Sequence, residues 1–216
     1  MKHGLILDLD GTLVNSLDGI AASLNRALRA AGLPVHPTEC VRTFIGNGAR
    51  VLVQRAAPSG ADPTLIELLE NTFKADYDTT WPTGTFAYNG ISELLEKLQS
   101  HGFALAVLSN KPHPFTVAIV TTIFPDIRFE AVVGQRPGIP HKPDPGGALE
   151  IAASLGIPPE NFTVIGDSTM DLDTAANAGM RAVAVTWGYH DRENLLAAGA
   201  DQVADDPLAL LGLLTA

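Results

Sequence analysis

From about residue 90 onward the chain alternates short, largely apolar runs with segments of helical periodicity. The runs are Ala104-Leu105-Ala106-Val107-Leu108, Ala131-Val132-Val133, Phe162-Thr163-Val164-Ile165, Ala182-Val183-Ala184-Val185 and Gln202-Val203-Ala204. Helical spacing fills the intervals at about 91–100, 114–122, 145–155, 171–178 and 193–198. A strand without polar alternation needs apolar cover on both faces, and connections of helix length suit parallel neighbours. The pattern predicts an α/β fold, a Rossmann-like parallel sheet covered by helices on both faces. In such sheets ligands bind beyond the carboxyl ends of the strands.

A further apolar run, Leu5-Ile6-Leu7, leads directly into Asp8-Leu9-Asp10-Gly11-Thr12-Leu13. Side chains alternate along a strand, so Asp8 and Asp10 leave the backbone on the same side. Two carboxylates so close resist joint ionisation unless a cation lies between them or one holds a proton. The pair therefore points to a metal site, an acid/base pair, or both. Between this strand and the alternating region, residues 15–80 read as helical throughout. Leu17, Ile20, Ala21, Leu24, Ala27, Leu28 and Ala31 recur at helical spacing up to Gly32, and further helices are expected over 38–56 and 63–76. The expected organisation is an α/β core of residues 1–14 and 84–216 interrupted by a helical cap of residues 15–83. Its hinges are expected at Asn15-Ser16 and Trp81-Pro82-Thr83-Gly84.

Bulk properties narrow the function. Of 216 residues 46% are hydrophobic and 18% charged, enough apolar surface for a sizeable core. A net charge of −10 argues against nonspecific binding to nucleic acid or an anionic membrane. The lone Cys40 excludes an internal disulfide and a cysteine metal cluster, and fits a reducing compartment. The first apolar run is too short, and too soon acidic, for a signal peptide or membrane span, so a cytoplasmic protein is expected. A monomer or homodimer is expected.

Three strands are followed at once by polar residues: Asp8 and Asp10, then Ser109 and Asn110, then Asp167 after Gly166. All should gather at one sheet edge, with Lys142-Pro143 in a loop nearby. In this order, Asp8-Leu9-Asp10-Gly11-Thr12-Leu13, Ser109-Asn110, Lys142-Pro143 and Gly166-Asp167-Ser168 with Asp171 resemble the four motifs of the haloacid dehalogenase superfamily. The resemblance spans almost the whole chain and implies that superfamily's fold with a small helical cap. Phe44-Ile45-Gly46-Asn47-Gly48-Ala49-Arg50, Ser109-Asn110-Lys111-Pro112 and Trp187-Gly188-Tyr189 are similar to its phosphoglycolate phosphatase branch.

The resemblance implies a Mg²⁺-dependent phosphatase working through a phosphoaspartate on Asp8, with 2-phosphoglycolate the best single substrate. Asp8 and Asp167 are the implied side-chain ligands of the ion, Asp10 contributes its backbone carbonyl, and Asp171 holds a water of the ion or orients its ligands. Asp10 is the implied acid/base, and Lys142 the cation beside the nucleophile. Thr12, Ser109 and Asn110 fall on the phosphate side, Thr12 chiefly by shaping the turn after Gly11. In the cap, Gly46 and Arg50 are candidate substrate contacts; Lys111 and Arg50 each have an equal reading as an ordinary surface cation. His141 is the only histidine expected near the site. A sugar-phosphate phosphatase, a pyrophosphatase and a β-phosphoglucomutase-like phosphotransferase keep the same motif residues. A receiver-like phosphoacceptor shares the sheet, acids and lysine but predicts a shorter chain without a helical insertion. A dehalogenase leaves Asp10 without a task, because halide departs unprotonated.

Overall fold

The computed structural model describes residues 3–216. In chain order the elements are β1 (Gly4–Leu7), β2 (Val14–Asn15), α1 (Leu17–Ala30), α2 (Thr38–Arg42), α3 (Gly48–Ala56), α4 (Pro63–Thr80), β3 (Phe86–Ala87), α5 (Ile91–Ser100) and β4 (Ala104–Pro112). They continue with α6 (His113–Ile123), β5 (Ala131–Gln135), α7 (Gly146–Leu155), β6 (Phe162–Gly166), α8 (Thr169–Ala178), β7 (Arg181–Val185), α9 (Arg192–Ala197), β8 (Val203–Ala204) and α10 (Pro207–Thr215). Two compact units result. One comprises the residues up to Val14 together with Ala87–Ala216, the other Asn15–Phe86.

The first unit is an α/β fold. Its six strands run β5-β4-β1-β6-β7-β8, and every neighbouring pair is parallel. β1 lies inside the sheet because its four residues are buried on both faces. Leu7 registers with Val107 on one side and Ile165 on the other. The chain winds outward from β1 in both directions, so β1 marks the switch point where such sheets open a crevice. Ile6, Ala106, Leu108, Ile151, Phe162 and Val164 belong to one buried cluster beneath it. β4 runs on through Pro112, four residues beyond its apolar run, with an irregularity in its pairing to β5 between Leu108 and Pro112. Ser109, Asn110 and Lys111 are therefore strand residues and all are buried. α10 carries no expectation from periodicity, being apolar almost throughout; of its residues only Leu210 is buried.

The second unit is helical. α1 packs on α4 and on α2, and α3 packs on α4. Arg26 of α1 grips Asp76 of α4 through Nε and Nη2, at 2.8 and 2.6 Å. The helix expected over 38–56 is two helices separated by residues 43–47. Gly46 at the break has φ 121°, a conformation a helix cannot contain, and Arg55 ties the loop down through Phe44 O at 3.0 Å and Asn47 Oδ1 at 2.8 Å. The unit ends at Phe86 rather than near residue 83. A 3₁₀ turn, Trp81–Thr83, stays with it because Trp81 is buried and the Gly19 N–H donates to Gly84 O at 3.2 Å.

Candidate active site

The carboxyl ends of β1, β4 and β6 supply the site. The Asp8 N–H donates to Ile165 O at 2.9 Å, extending the sheet one residue past β1 and fixing where Asp8 emerges. The following turn is closed by Gly11 N–H to Val14 O and by Leu13 and Val14 N–H to Leu9 O. Gly11 has φ 93°, and a Cβ there would meet Asp167 Oδ2 at 2.4 Å, so only glycine lets the turn lie against that carboxylate.

Asp8, Asp167 and Asp171 converge. Each offers a carboxylate oxygen within 4.8 Å of the others, and all three residues are buried. Lys142 Nζ bridges two of them, at 2.6 Å from Asp8 Oδ1 and 2.6 Å from Asp171 Oδ1. The other oxygen of Asp171 accepts from Ser168 Oγ at 2.6 Å and from the Ser168 N–H at 3.2 Å. Asp167 accepts from Thr12 Oγ1 at 3.3 Å and from the Tyr189 N–H at 2.7 Å. Asp8 Oδ2 receives no hydrogen bond among the described residues. Burial pushes the Asp8 carboxyl well above its ordinary range; Lys142 opposes this, and Asp171 and Asp167 push it further up. Burial works against the Lys142 ammonium, but Asp171 and Asp8 outweigh it and hold the group above the ordinary lysine range.

Three buried carboxylates sharing one ammonium form a cluster short of positive charge, and its donors are hard oxygens. That donor set fits a small divalent cation such as Mg²⁺. The Asp10 side chain is not part of this trio. It faces Lys111, whose Nζ lies 2.9 Å from Oδ1 and 3.1 Å from Oδ2.

Asn110, expected on the phosphate side, spans the backbone of Lys142: its Oδ1 accepts from Lys142 N at 2.8 Å and its Nδ2 donates to Lys142 O at 3.2 Å. The Ser109 hydroxyl oxygen accepts from the Lys111 N–H at 3.2 Å. Thr12 turns its hydroxyl to Asp167. Gly46 and Arg50 belong to the helical unit, where Arg50 pairs with Glu70 at 3.1 Å. His141 is exposed, whereas His190, which carried no expectation, stands 3.9 Å from Asp167 Oδ2. The loop after β7 also contributes. Trp187 Nε1 donates to Thr12 O at 3.0 Å, and a Cβ on Gly188 would lie 2.3 Å from Asp167 Cβ and from Gly11 O. A backbone donor such as Tyr189 N–H leaves no trace in residue types; the small residue needed for close approach is the available signal.

The family model for haloacid dehalogenase-like hydrolases matches residues 5–185. The chain belongs to this family, and it is an enzyme of the family's phosphatase type. Among individual relatives, a phosphoglycolate phosphatase of Pectobacterium atrosepticum is 35% identical over 97% of this chain and 92% of its own length. The phosphoglycolate phosphatase of Escherichia coli K12 is 34% identical over 98% and 93%. A solved structure from Lactobacillus delbrueckii subsp. bulgaricus, to which phosphoglycolate phosphatase activity is ascribed, superposes with a TM-score of 0.92 at 28% identity, covering 99% of both chains.

Proposed function

We propose that the protein is a Mg²⁺-dependent phosphatase that hydrolyses 2-phosphoglycolate through a phosphoaspartate on Asp8. The observation that carries the reading is the buried Asp8, whose Oδ1 is held by Lys142 while Oδ2 takes no hydrogen bond among the described residues. An oxygen so placed suits in-line attack on phosphorus, and Lys142 offsets its charge. Asp8, Asp167 and the Asp10 carbonyl would hold the ion, with Asp171 fixed beside them by Lys142 and Ser168. Mg²⁺, when bound, supplies positive charge against the carboxylates and the phosphate.

In the first half-reaction Asp8 Oδ2 forms a bond to phosphorus as the ester P–O bond breaks, and Asp10 gives its proton to the departing oxygen. In the second, Asp10 takes a proton from water as that water attacks phosphorus and the acyl phosphate bond to Asp8 breaks. Both carboxylates return to their starting states. The Ser109 hydroxyl and the Lys142 ammonium hold the transferring oxygens, so positioning and electrostatics do most of the work. The substrate rests on the relatives' activity, and Arg50, with Gly46, is retained as a candidate contact for the leaving group. Among the described residues no helix is long and apolar enough to cross a membrane.

The test is phosphate release from a panel of small phosphoesters with and without Mg²⁺, comparing wild type with Asp8→Asn and Arg50→Gln. Turnover is expected to need Mg²⁺, to vanish in Asp8→Asn, and to be highest on 2-phosphoglycolate. Retained turnover in Asp8→Asn overturns the mechanism; an equal or better sugar phosphate or pyrophosphate overturns the substrate alone. An unchanged ranking of substrates in Arg50→Gln removes Arg50 from the site.

A further inference from the structure

We infer that Lys111 is the positioning residue for the acid/base Asp10, gripping its carboxylate by both oxygens so that it faces the leaving group; this rests on the role proposed for Asp10. The two side chains are 101 positions apart in sequence, yet the Lys111 ammonium reaches both Asp10 oxygens, at 2.9 and 3.1 Å. The contact is sheltered: the lysine side chain is 5% exposed and the aspartate 12%. An ammonium within reach of both oxygens fixes where the carboxylate end sits, because displacing it weakens two charge-assisted contacts at once.

The lysine is itself anchored. Its N–H donates to Ser109 Oγ, and its carbonyl accepts from Thr116 Oγ1 at 3.2 Å. The pairing irregularity in β4 brackets this position, a device that re-aims side chains beside sites. Alternation along β4 then sends Asn110 to the Lys142 backbone while Lys111 meets Asp10. One strand thus positions both the cation beside the nucleophile and the acid/base.

A misplacement of the proton donor should matter in proportion to how much the leaving group needs a proton. An alkoxide needs one; 4-nitrophenolate departs without. The experiment measures first-turnover rates with Mg²⁺ for wild type, Lys111→Gln, Lys111→Arg and Asp10→Asn. Its substrates are 2-phosphoglycolate, 2-hydroxyethyl phosphate, which lacks the carboxylate, and 4-nitrophenyl phosphate. Lys111→Gln is expected to slow both alkyl esters alike by about a hundredfold, with the 4-nitrophenolate burst unchanged. Lys111→Arg, which keeps a charged two-point donor, is expected to recover most of the rate.

A loss confined to KM for 2-phosphoglycolate would make Lys111 a reader of the substrate carboxylate and overturn the inference. So would an equal loss on all three substrates. Wild-type alkyl rates in Asp10→Asn would sink the role proposed for Asp10; a collapse there with none in Lys111→Gln sinks only the positioning role. Should Lys111→Gln not fold, Lys111→Met in the Asp10→Asn background, where no lone carboxylate is left, carries the comparison. There the second substitution is expected to add no further loss, and an added loss overturns the inference.

Discussion

At the scale of single residues the site depends as much on absent atoms as on functional groups. Asp167 lies between the backbones of Gly11 and Gly188, and an added Cβ at either glycine would collide with it. The neighbours at Gly188 are a carbonyl oxygen and the Cβ of a buried residue, neither of which can swing aside as the end of a flexible side chain would. Gly188→Ala is therefore expected to cost about 1–3 kcal/mol of stability and to weaken Mg²⁺ binding, read by denaturant melts and by calorimetric titration of the ion. Gly212→Ala is the control: it lies in α10 with nothing within 4 Å of the added carbon. It is expected to be neutral or to stabilise by about 0.5–1 kcal/mol through helix propensity. Equal effects at the two positions would refute the steric account.

At the scale of elements, the contact between α1 and α4 rests on a fork-like ion pair beside apolar packing. Hydrogen bonding from Arg26 holds the Asp76 carboxyl below its ordinary range, although burial opposes this; Ser23, the charge of Arg26 and Thr80 add to the lowering. A carboxyl lowered in the folded state binds a proton more readily when unfolded. Its stabilisation is full above the unfolded value of 3.8 and is lost as pH falls through the folded one. Asp76→Asn is expected to lose about 0.5–1 kcal/mol near neutrality, a modest figure because both partners are partly solvated. The two melting curves should converge at pH values below the ordinary carboxylate range; a difference that persists there would assign the loss to packing. Much at this scale was legible in the sequence, because short apolar runs separated by helix-length segments pack as a parallel sheet covered on both faces. The exceptions have local causes. The periodicity over 38–56 passes through Gly46, whose φ of 121° breaks the helix regardless of side-chain pattern. α10 escaped because an almost wholly apolar segment has no polar face to give it a period. The motif resemblance singled out Asp8, Asp167, Asp171 and Lys142, which the fold brings together, but it left Lys111 with two equal readings. Its direction depends on β4 continuing past the apolar run, and that is set by tertiary pairing.

On the scale of the whole molecule, a chain of net charge −10 gathers Asp8, Asp10, Asp167 and Asp171 at one sheet edge against the ammonium groups of Lys111 and Lys142. Carboxylates crowded in this way oppose folding, and the proposed function has a cation offset them, so stability and function should pull apart there. Asp8→Asn separates them. Oδ1 can still accept from Lys142, which keeps its second partner in Asp171. The amide nitrogen would take the place of Oδ2, an atom that accepts nothing among the described residues. What is removed is a buried negative charge beside two others. Without divalent cation, Asp8→Asn is expected to be more stable than wild type by about 1 kcal/mol. With Mg²⁺ at a hundredfold excess over its dissociation constant, wild type should gain about 2.7 kcal/mol, because the ion binds only the folded form. The variant, lacking one ligand, should gain far less, so the order of stability reverses between the two conditions. Chemical denaturation of both proteins with EDTA and with MgCl₂ measures this directly. A variant that is weaker in EDTA and keeps the full Mg²⁺ gain would mean that Asp8 neither strains the fold nor holds the ion.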